Sequence, residues 1–106
     1  MFFSQAIGAF KDASPAEPLL SDADAGVRGQ AAQTFGVVRS QAGVASLLRV
    51  LASDPSPDVR KKAAWALGEI GAPASLASAG LQQAATSDES PVVRSLAEVA
   101  IGKLTR

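Results

Sequence analysis

The sequence predicts an all-α fold, an α-solenoid of about three to four stacked helical repeats. A motif of Ser-Asp, then Val-Arg, then Gly occurs three times without gaps. Apolar residues within each copy recur at helical spacing and define one face. The copies are about 32 and 34 residues apart, which is a period typical of stacked helix pairs. No stretch of the chain shows the alternation expected of a strand.

The central copy, residues 53–71 with the sequence SDPSPDVRKKAAWALGEIG, follows local rules for a helix. Ser56 is a favourable N-cap, and Pro57 suits the first helical position, where its missing N–H is not needed. Gly71, followed by Pro73, is a helix stop. This copy therefore predicts a helix over about residues 57–70.

The repeats divide the 106 residues into one domain with four units. The units are a degenerate copy at 1–20 and copies at 21–52, 53–86 and 87–106, the last of them incomplete. First helices are expected at about 24–39, 57–70 and 91–104, and second helices at about 41–52 and 73–86.

Two further elements are expected before and within these repeats. Residues 2–11 read as a short helix, and two prolines within residues 13–20 leave room for at most one more. In the least regular element, residues 73–86, Leu76 and Leu81 are expected to be buried.

An acidic and a basic residue recur together in each copy, as Asp22 with Arg28, Asp54 with Arg60, and Asp88 with Arg94. A charge pair repeated at constant spacing favours a structural ladder. In such a ladder each carboxylate binds N–H groups of its turn and an arginine, from its own or an adjacent repeat. The alternative is a row of catalytic carboxylates.

Glycine recurs inside the predicted first helices, at Gly36, Gly68 and Gly102. Glycine in a helix interior costs about 1 kcal/mol relative to alanine, so its recurrence needs a reason. The simplest reason is the close approach of a packed helix. A ligand pocket is the alternative.

Positions that vary between copies are the candidates for partner specificity. Trp65, the only tryptophan, shares an outward stripe with Lys61 and Glu69. It either lies over its neighbours' side chains or is a binding hot spot, since tryptophan is enriched at such sites. Other variable positions are Gln33, Val37, Lys62, Leu96, Val99 and Lys103 on first helices, and Ser46, Arg49, Ser78, Gln82 and Gln83 on second helices.

The recurring residues resemble HEAT-like repeats of the phycobilisome-lyase type over about residues 21–106. They are Asp54, Val59, Arg60, Ala63, Ala64, Ala66, Leu67, Gly68, Ile70 and Gly71, with their counterparts in the other copies. The resemblance implies a ladder of Asp and Arg. It also implies a concave second-helix surface that is often used for binding, and a link to proteins that attach or remove bilin chromophores.

Composition argues against several classes of function. The formal net charge is zero, whereas a nucleic-acid-binding face is basic. Histidine and cysteine are absent, so the commonest metal ligand and general base are missing. We therefore expect no catalytic residue, no metal and no cofactor. No apolar run is long enough to span a bilayer, and the N-terminus lacks the basic residue of a signal peptide, so a cytoplasmic protein is expected.

These observations favour a non-catalytic scaffold or adaptor that binds another protein. The alternative, from the resemblance, is an accessory subunit related to bilin lyases. Both ends of the repeat array look apolar, at residues 2–11 and along residues 91–104. Self-association through these end helices is therefore also expected.

Overall fold

The computed structural model describes residues 13–71 and 73–105, and within them every regular element is helical. The α-helices are α1 (Ala25–Val38), α2 (Val44–Ser53), α3 (Pro57–Ile70), α4 (Ala74–Ser87) and α5 (Pro91–Leu104). Two 3-10 helices, Ser14–Ser21 and Gln41–Gly43, precede α1 and α2 respectively. The all-α prediction is confirmed, and the helix expected at residues 2–11 lies outside the described residues.

The α-helices form two layers. The first helices of the repeats pack side by side, α1 against α3 and α3 against α5. The second helices, α2 and α4, form the other layer, and the 3-10 helix Ser14–Ser21 contacts both α1 and α2. Each second helix also packs against the first helix of the following repeat, α2 on α3 and α4 on α5. This continuous stacking is the α-solenoid that the repeat predicts.

Side-chain caps set where the first helices begin. The hydroxyls of Ser56 and Ser90 accept hydrogen bonds from the backbone N–H of the third residue of α3 and α5, and the Asp24 carboxylate caps α1. At the other end, α3 closes on Gly71 with φ of 68°, and α1 closes on Arg39 with φ of 60°. The left-handed conformation is unstrained for the glycine and costly for the arginine.

Alanine lets the helices lie close together, and a few large side chains fill the centre. The largest fully buried side chains are Phe35, Leu47, Leu51, Leu67, Leu81, Val59 and Val93. The burial predicted for Leu81 is confirmed, but that for Leu76 is wrong, since Leu76 is 61% exposed. The inward positions of α4 are Ala77, Leu81 and Ala84, and Leu76 lies about 100° around the helix from Ala77.

The outer flank of α5 differs from the equivalent flanks of α1 and α3. Ala32 and Ala64 occupy one register position on the earlier helices and are fully buried. On α5 this position is Glu98, which is exposed. The flank predicted to be apolar therefore carries a charge, beside the half-buried Ile101 and Leu104.

Candidate partner-binding surface

One edge of the solenoid carries a ladder of arginine–aspartate contacts that runs from each repeat to the next. Arg28 donates from Nε and Nη2 to the two carboxylate oxygens of Asp54, at 2.8 and 3.1 Å. Arg60 does the same to Asp88, at 2.9 and 3.1 Å. Paired parallel bonds of this kind fix orientation as well as distance. The ladder therefore sets how successive repeats stack.

Within a repeat, the ladder aspartate and arginine meet through the backbone. Arg60 Nη1 donates to the carbonyl oxygen of Asp54 at 2.8 Å. The Asp54 carboxylate also accepts the N–H of Ser56 at 2.9 Å, and Asp88 accepts that of Ser90 at the same distance. Both carboxylates are therefore occupied by an arginine and a turn N–H, which is the arrangement of a structural ladder.

The contact between Arg60 and Asp88 favours the charged form of both residues. Burial raises the pKa of Asp88, but the hydrogen bonds from Arg60 and from the Ser90 N–H outweigh it, so the pKa lies below its ordinary value. The hydrogen bond to Asp88 raises the pKa of Arg60. Neither group is poised to exchange a proton near neutral pH, as a general acid or base must be.

The first and last ladder residues have fewer partners in the described part of the chain. The Asp22 carboxylate accepts the N–H of Asp24 at 2.9 Å and meets no described arginine. Arg94 donates from Nη1 to the carbonyl oxygen of Asp88 at 2.6 Å, and its other donors meet no described carboxylate. Asp22 and Arg94 thus provide internal comparisons for the fully paired residues.

Two of the three recurring glycines lie where neighbouring first helices approach closely. A Cβ atom at Gly36 would overlap the Trp65 ring and would lie 2.9 Å from Cα of Ala66. A Cβ at Gly68 would lie 3.0 Å from Cα of Ala100. The packing role predicted for Gly102 does not hold in the described structure, because nothing lies within 4 Å of that position.

Trp65 lies at the centre of the solvent-facing side of α1, α3 and α5, which we call the first-helix surface. Its ring rests against Gly36 of α1, and the residue is half-buried. Beside it is a cleft of about 350 Å³ lined by Gln33, Lys61, Lys62, Trp65 and Leu96. Three helices contribute to this cleft. Trp65 therefore both covers a helix contact and presents an aromatic surface to solvent.

Cations outnumber carboxylates on the first-helix surface. Near the start of α3, Asp58 contacts Lys61 Nζ at 3.0 Å and Lys62 Nζ at 3.3 Å. Near the end of α3, Glu69 hydrogen-bonds Lys103 and lies 3.7 Å from Arg39.

Each of these two carboxylates is thus shared by two cations. The contacts from Lys61 and Lys62 lower the pKa of Asp58, and the hydrogen bond from Lys103 lowers that of Glu69. Within these two clusters, four cations meet two carboxylates, which is an excess of two positive charges.

Exposed apolar side chains extend the first-helix surface beyond the cleft. Val37, Val92 and Val99 are 64%, 53% and 54% exposed. Val99 occupies the register position of Trp65 in its own repeat. Sequence reasoning missed Val92, whose position is Asp58 in the preceding copy, and Arg39, which lies just beyond a helix end. Only the register of the stacked helices indicates that they belong to this surface.

A family model described as HEAT repeats matches residues 6–102. The chain belongs to the HEAT-repeat family. The match covers all three ladder arginines and all five α-helices up to Gly102, and stacked helical repeats of this kind commonly provide binding surfaces for other proteins. A comparison with curated proteins finds no match.

The second-helix surface of this HEAT solenoid carries little charge. Arg49 is the one charged side chain on α2 and α4, and both it and Gln82 are exposed. Ser46 was expected on this surface, but it is buried and donates to the Glu17 carboxylate. A groove of about 160 Å³ between the two helices is lined by Leu51, Ala52, Gly80, Gln83, Ala84, Ser87 and Asp88. This surface lacks the aromatic centre and the charge of the first-helix surface.

Among residues 13–71 and 73–105, no group of three or more acidic side chains could hold a metal ion. No helix in the same residues has the length and hydropathy needed to cross a membrane.

Proposed function

We propose that this HEAT-repeat chain is a non-catalytic adaptor that binds another protein through its first-helix surface. The observation that carries the proposal is the Trp65 cleft, where an aromatic ring, a half-buried leucine and two lysine stems converge from neighbouring helices. Tryptophan is enriched at the centres of protein interfaces, and charged residues commonly form their rims. The exposed valines around the cleft add apolar area that a partner would cover.

A non-catalytic role is supported by what the charged residues do. Four carboxylates are engaged by arginine or lysine, namely those of Asp54, Asp88, Asp58 and Glu69, and the sequence supplies no histidine or cysteine. A cytoplasmic location is part of the same proposal.

The proposal can be tested with a photo-crosslinking amino acid placed at Gln33, which is exposed in the cleft. The matched control places the same amino acid at Gln82 on the second-helix surface. We expect specific adducts in a cell extract from position 33 and not from position 82. Excess unlabelled wild-type protein should abolish these adducts, whereas excess Trp65→Ala protein should not. Equal competition by the two proteins would contradict the proposal.

The alternative is an accessory role with bilin chromophores, supported by the resemblance of the repeat motif to the phycobilisome-lyase type. The cleft volume of about 350 Å³ lies near the lower end of the range for small-molecule sites, which favours the protein-binding proposal. Titration of the purified chain with a bilin, followed by absorbance, separates the two. A saturable spectral shift that is lost in Trp65→Ala would favour the alternative.

Self-association through the end helices is a further proposal for the partner. It rests on Ile101 and Leu104, which are half-buried at the flank of α5, whereas the exposed Glu98 opposes it. We expect Glu98→Ala to increase the mass found by light scattering across a concentration series. An unchanged monomer mass for both proteins would rule this proposal out.

A further inference from the structure

Resting on the proposed function, we infer that the segment bound by the first-helix surface is an acidic peptide with an apolar side chain between its carboxylates. The occupant is part of another protein, and its chemistry follows from how charge and apolar area are arranged around Trp65. Three features define this chemistry: the two shared carboxylates, their spacing along α3 and the cleft beside Trp65.

The shared carboxylates leave positive charge available for a partner. Asp58 forms ion pairs with both Lys61 and Lys62, whose side chains remain 37% and 30% exposed. Glu69 forms ion pairs with Lys103, which is 34% exposed, and with Arg39, which is 70% exposed. One carboxylate can neutralise only one of its two cations, so each end of α3 presents about one uncompensated positive charge. An acidic partner would complete both pairings without displacing either existing one.

The two basic clusters are Lys61 with Lys62 and Arg39 with Lys103. Their spacing indicates the form of the partner. Lys62 and Glu69 are seven residues apart on α3, which places the clusters about 11 Å from each other along the helix. In an extended peptide, residues i, i+2 and i+4 point to the same side, and i and i+4 are about 13 Å apart. Acidic residues at i and i+4 can therefore reach both clusters, while the residue at i+2 enters the cleft beside Trp65 and Leu96.

A peptide fits this surface better than a nucleic acid does. Bases could stack on Trp65, but a nucleic acid brings a phosphate at every nucleotide. Asp58 and Glu69 lie among the cations of this surface and would repel a continuous row of phosphates. Widely spaced carboxylates avoid these two positions.

The test uses the full chain and the fluorescence of Trp65, the only tryptophan. The probe is an acetylated and amidated peptide with a phenylalanine midway between two glutamates four positions apart. Matched peptides carry glutamine or lysine in place of the glutamates. We expect the glutamate peptide to bind about five to ten times more tightly than the glutamine peptide at low salt. This difference should shrink as salt is added, and the lysine peptide should bind most weakly.

Two variants test which surface causes the preference for the glutamate peptide. Lys62→Gln should reduce the preference for the glutamate peptide to about twofold. Arg49→Gln removes one positive charge from the second-helix surface and should leave the preference unchanged. Equal affinities for the three peptides, or no response of Trp65 to any of them, would overturn the inference. A response to a twelve-residue oligo-dT at lower concentration than to the glutamate peptide would also overturn it.

The failure of this inference can be told apart from that of the proposed function. Crosslinking from position 33 depends on partner binding and not on the partner's charge. Adducts that survive in Lys62→Gln while the peptides show no charge preference would retain the adaptor and reject its acidic partner. Loss of the site-specific adducts themselves would reject the adaptor.

Discussion

The ladder edge and the first-helix surface use the same kind of contact, a cation with a carboxylate, in two different ways. Arg60 and Asp88 are 12% and 7% exposed and meet through two parallel hydrogen bonds. Arg39 and Glu69 are 70% and 19% exposed and meet at 3.7 Å. Burial and bidentate geometry make the first contact part of the frame, by which we mean the contacts that fix how the repeats stack. Exposure and sharing leave the second contact weak in the frame but available to a partner.

The largest effect is expected when a ladder carboxylate is removed. Asp54→Ala deprives Arg28 of its partner and the Ser56 N–H of its acceptor, and should lower the free energy of unfolding by about 1–3 kcal/mol. Asp22→Ala is the matched control, because Asp22 meets no described arginine, and should cost less than about 1 kcal/mol. Chemical denaturation of both variants measures the difference. Equal losses would mean that the inter-repeat contact adds nothing to the frame.

Alanine substitutions at two of the recurring glycines should change the free energy of unfolding in opposite directions. Gly36→Ala places a methyl group against the Ala66 backbone and should destabilise the protein by about 1–3 kcal/mol. Gly102→Ala meets nothing within 4 Å and should stabilise it by up to about 1 kcal/mol through helix propensity. Thermal and chemical denaturation report both changes. A stabilised Gly36→Ala would show that α1 and α3 can separate without cost.

The sequence alone predicts the local features of the fold better than the contacts between repeats. The helices and the residue types of the ladder follow from caps and period, because those signals are local. The ladder's direction, from Arg28 to Asp54 rather than to Asp22, depends on how repeats stack. The same is true of Gly102, which shares the motif but has no described neighbour within 4 Å. A position in the motif therefore predicts a packing role only where a neighbouring helix lies against it.

The first-helix surface was predicted less completely than the ladder. The sequence singles out Trp65, Lys61 and Glu69 because they vary between copies. Arg39 and Val92 were missed, because only the alignment of three separate helices brings them beside the others. The exposure of Leu76 was also missed, since α4 is rich in small residues and its inward face has no strong apolar signal.

Acid should destabilise the folded protein through the loss of charge on Asp88. The pKa of Asp88 lies below its ordinary value of 3.8 in the folded protein, so the unfolded chain binds its proton at higher pH than the folded one does. The stabilisation is therefore fully present above the unfolded-state pKa and is lost as the pH falls through the lower folded-state pKa. We expect the free energy of unfolding to fall between about pH 5 and pH 2. Asp88→Asn should flatten this dependence, and an unchanged slope would contradict the assignment.

The smallest effect on stability is expected at the first-helix surface. Lys62→Gln removes one of two partly exposed contacts to Asp58, and should change the free energy of unfolding by less than about 0.5 kcal/mol. Its denaturation midpoint should match that of the wild type within error. A loss as large as that of Asp54→Ala would place Lys62 in the frame, and would remove the distinction between the two regions.

A double-mutant cycle tests that distinction most directly. The cycle compares the coupling free energy of Arg60 and Asp88 with that of Arg39 and Glu69, from chemical denaturation of single and double alanine variants. We expect a coupling of about 1–3 kcal/mol for the ladder pair and less than about 0.5 kcal/mol for the surface pair. Couplings of equal size would contradict the account, because burial and bidentate geometry would then not distinguish the ladder from the first-helix surface.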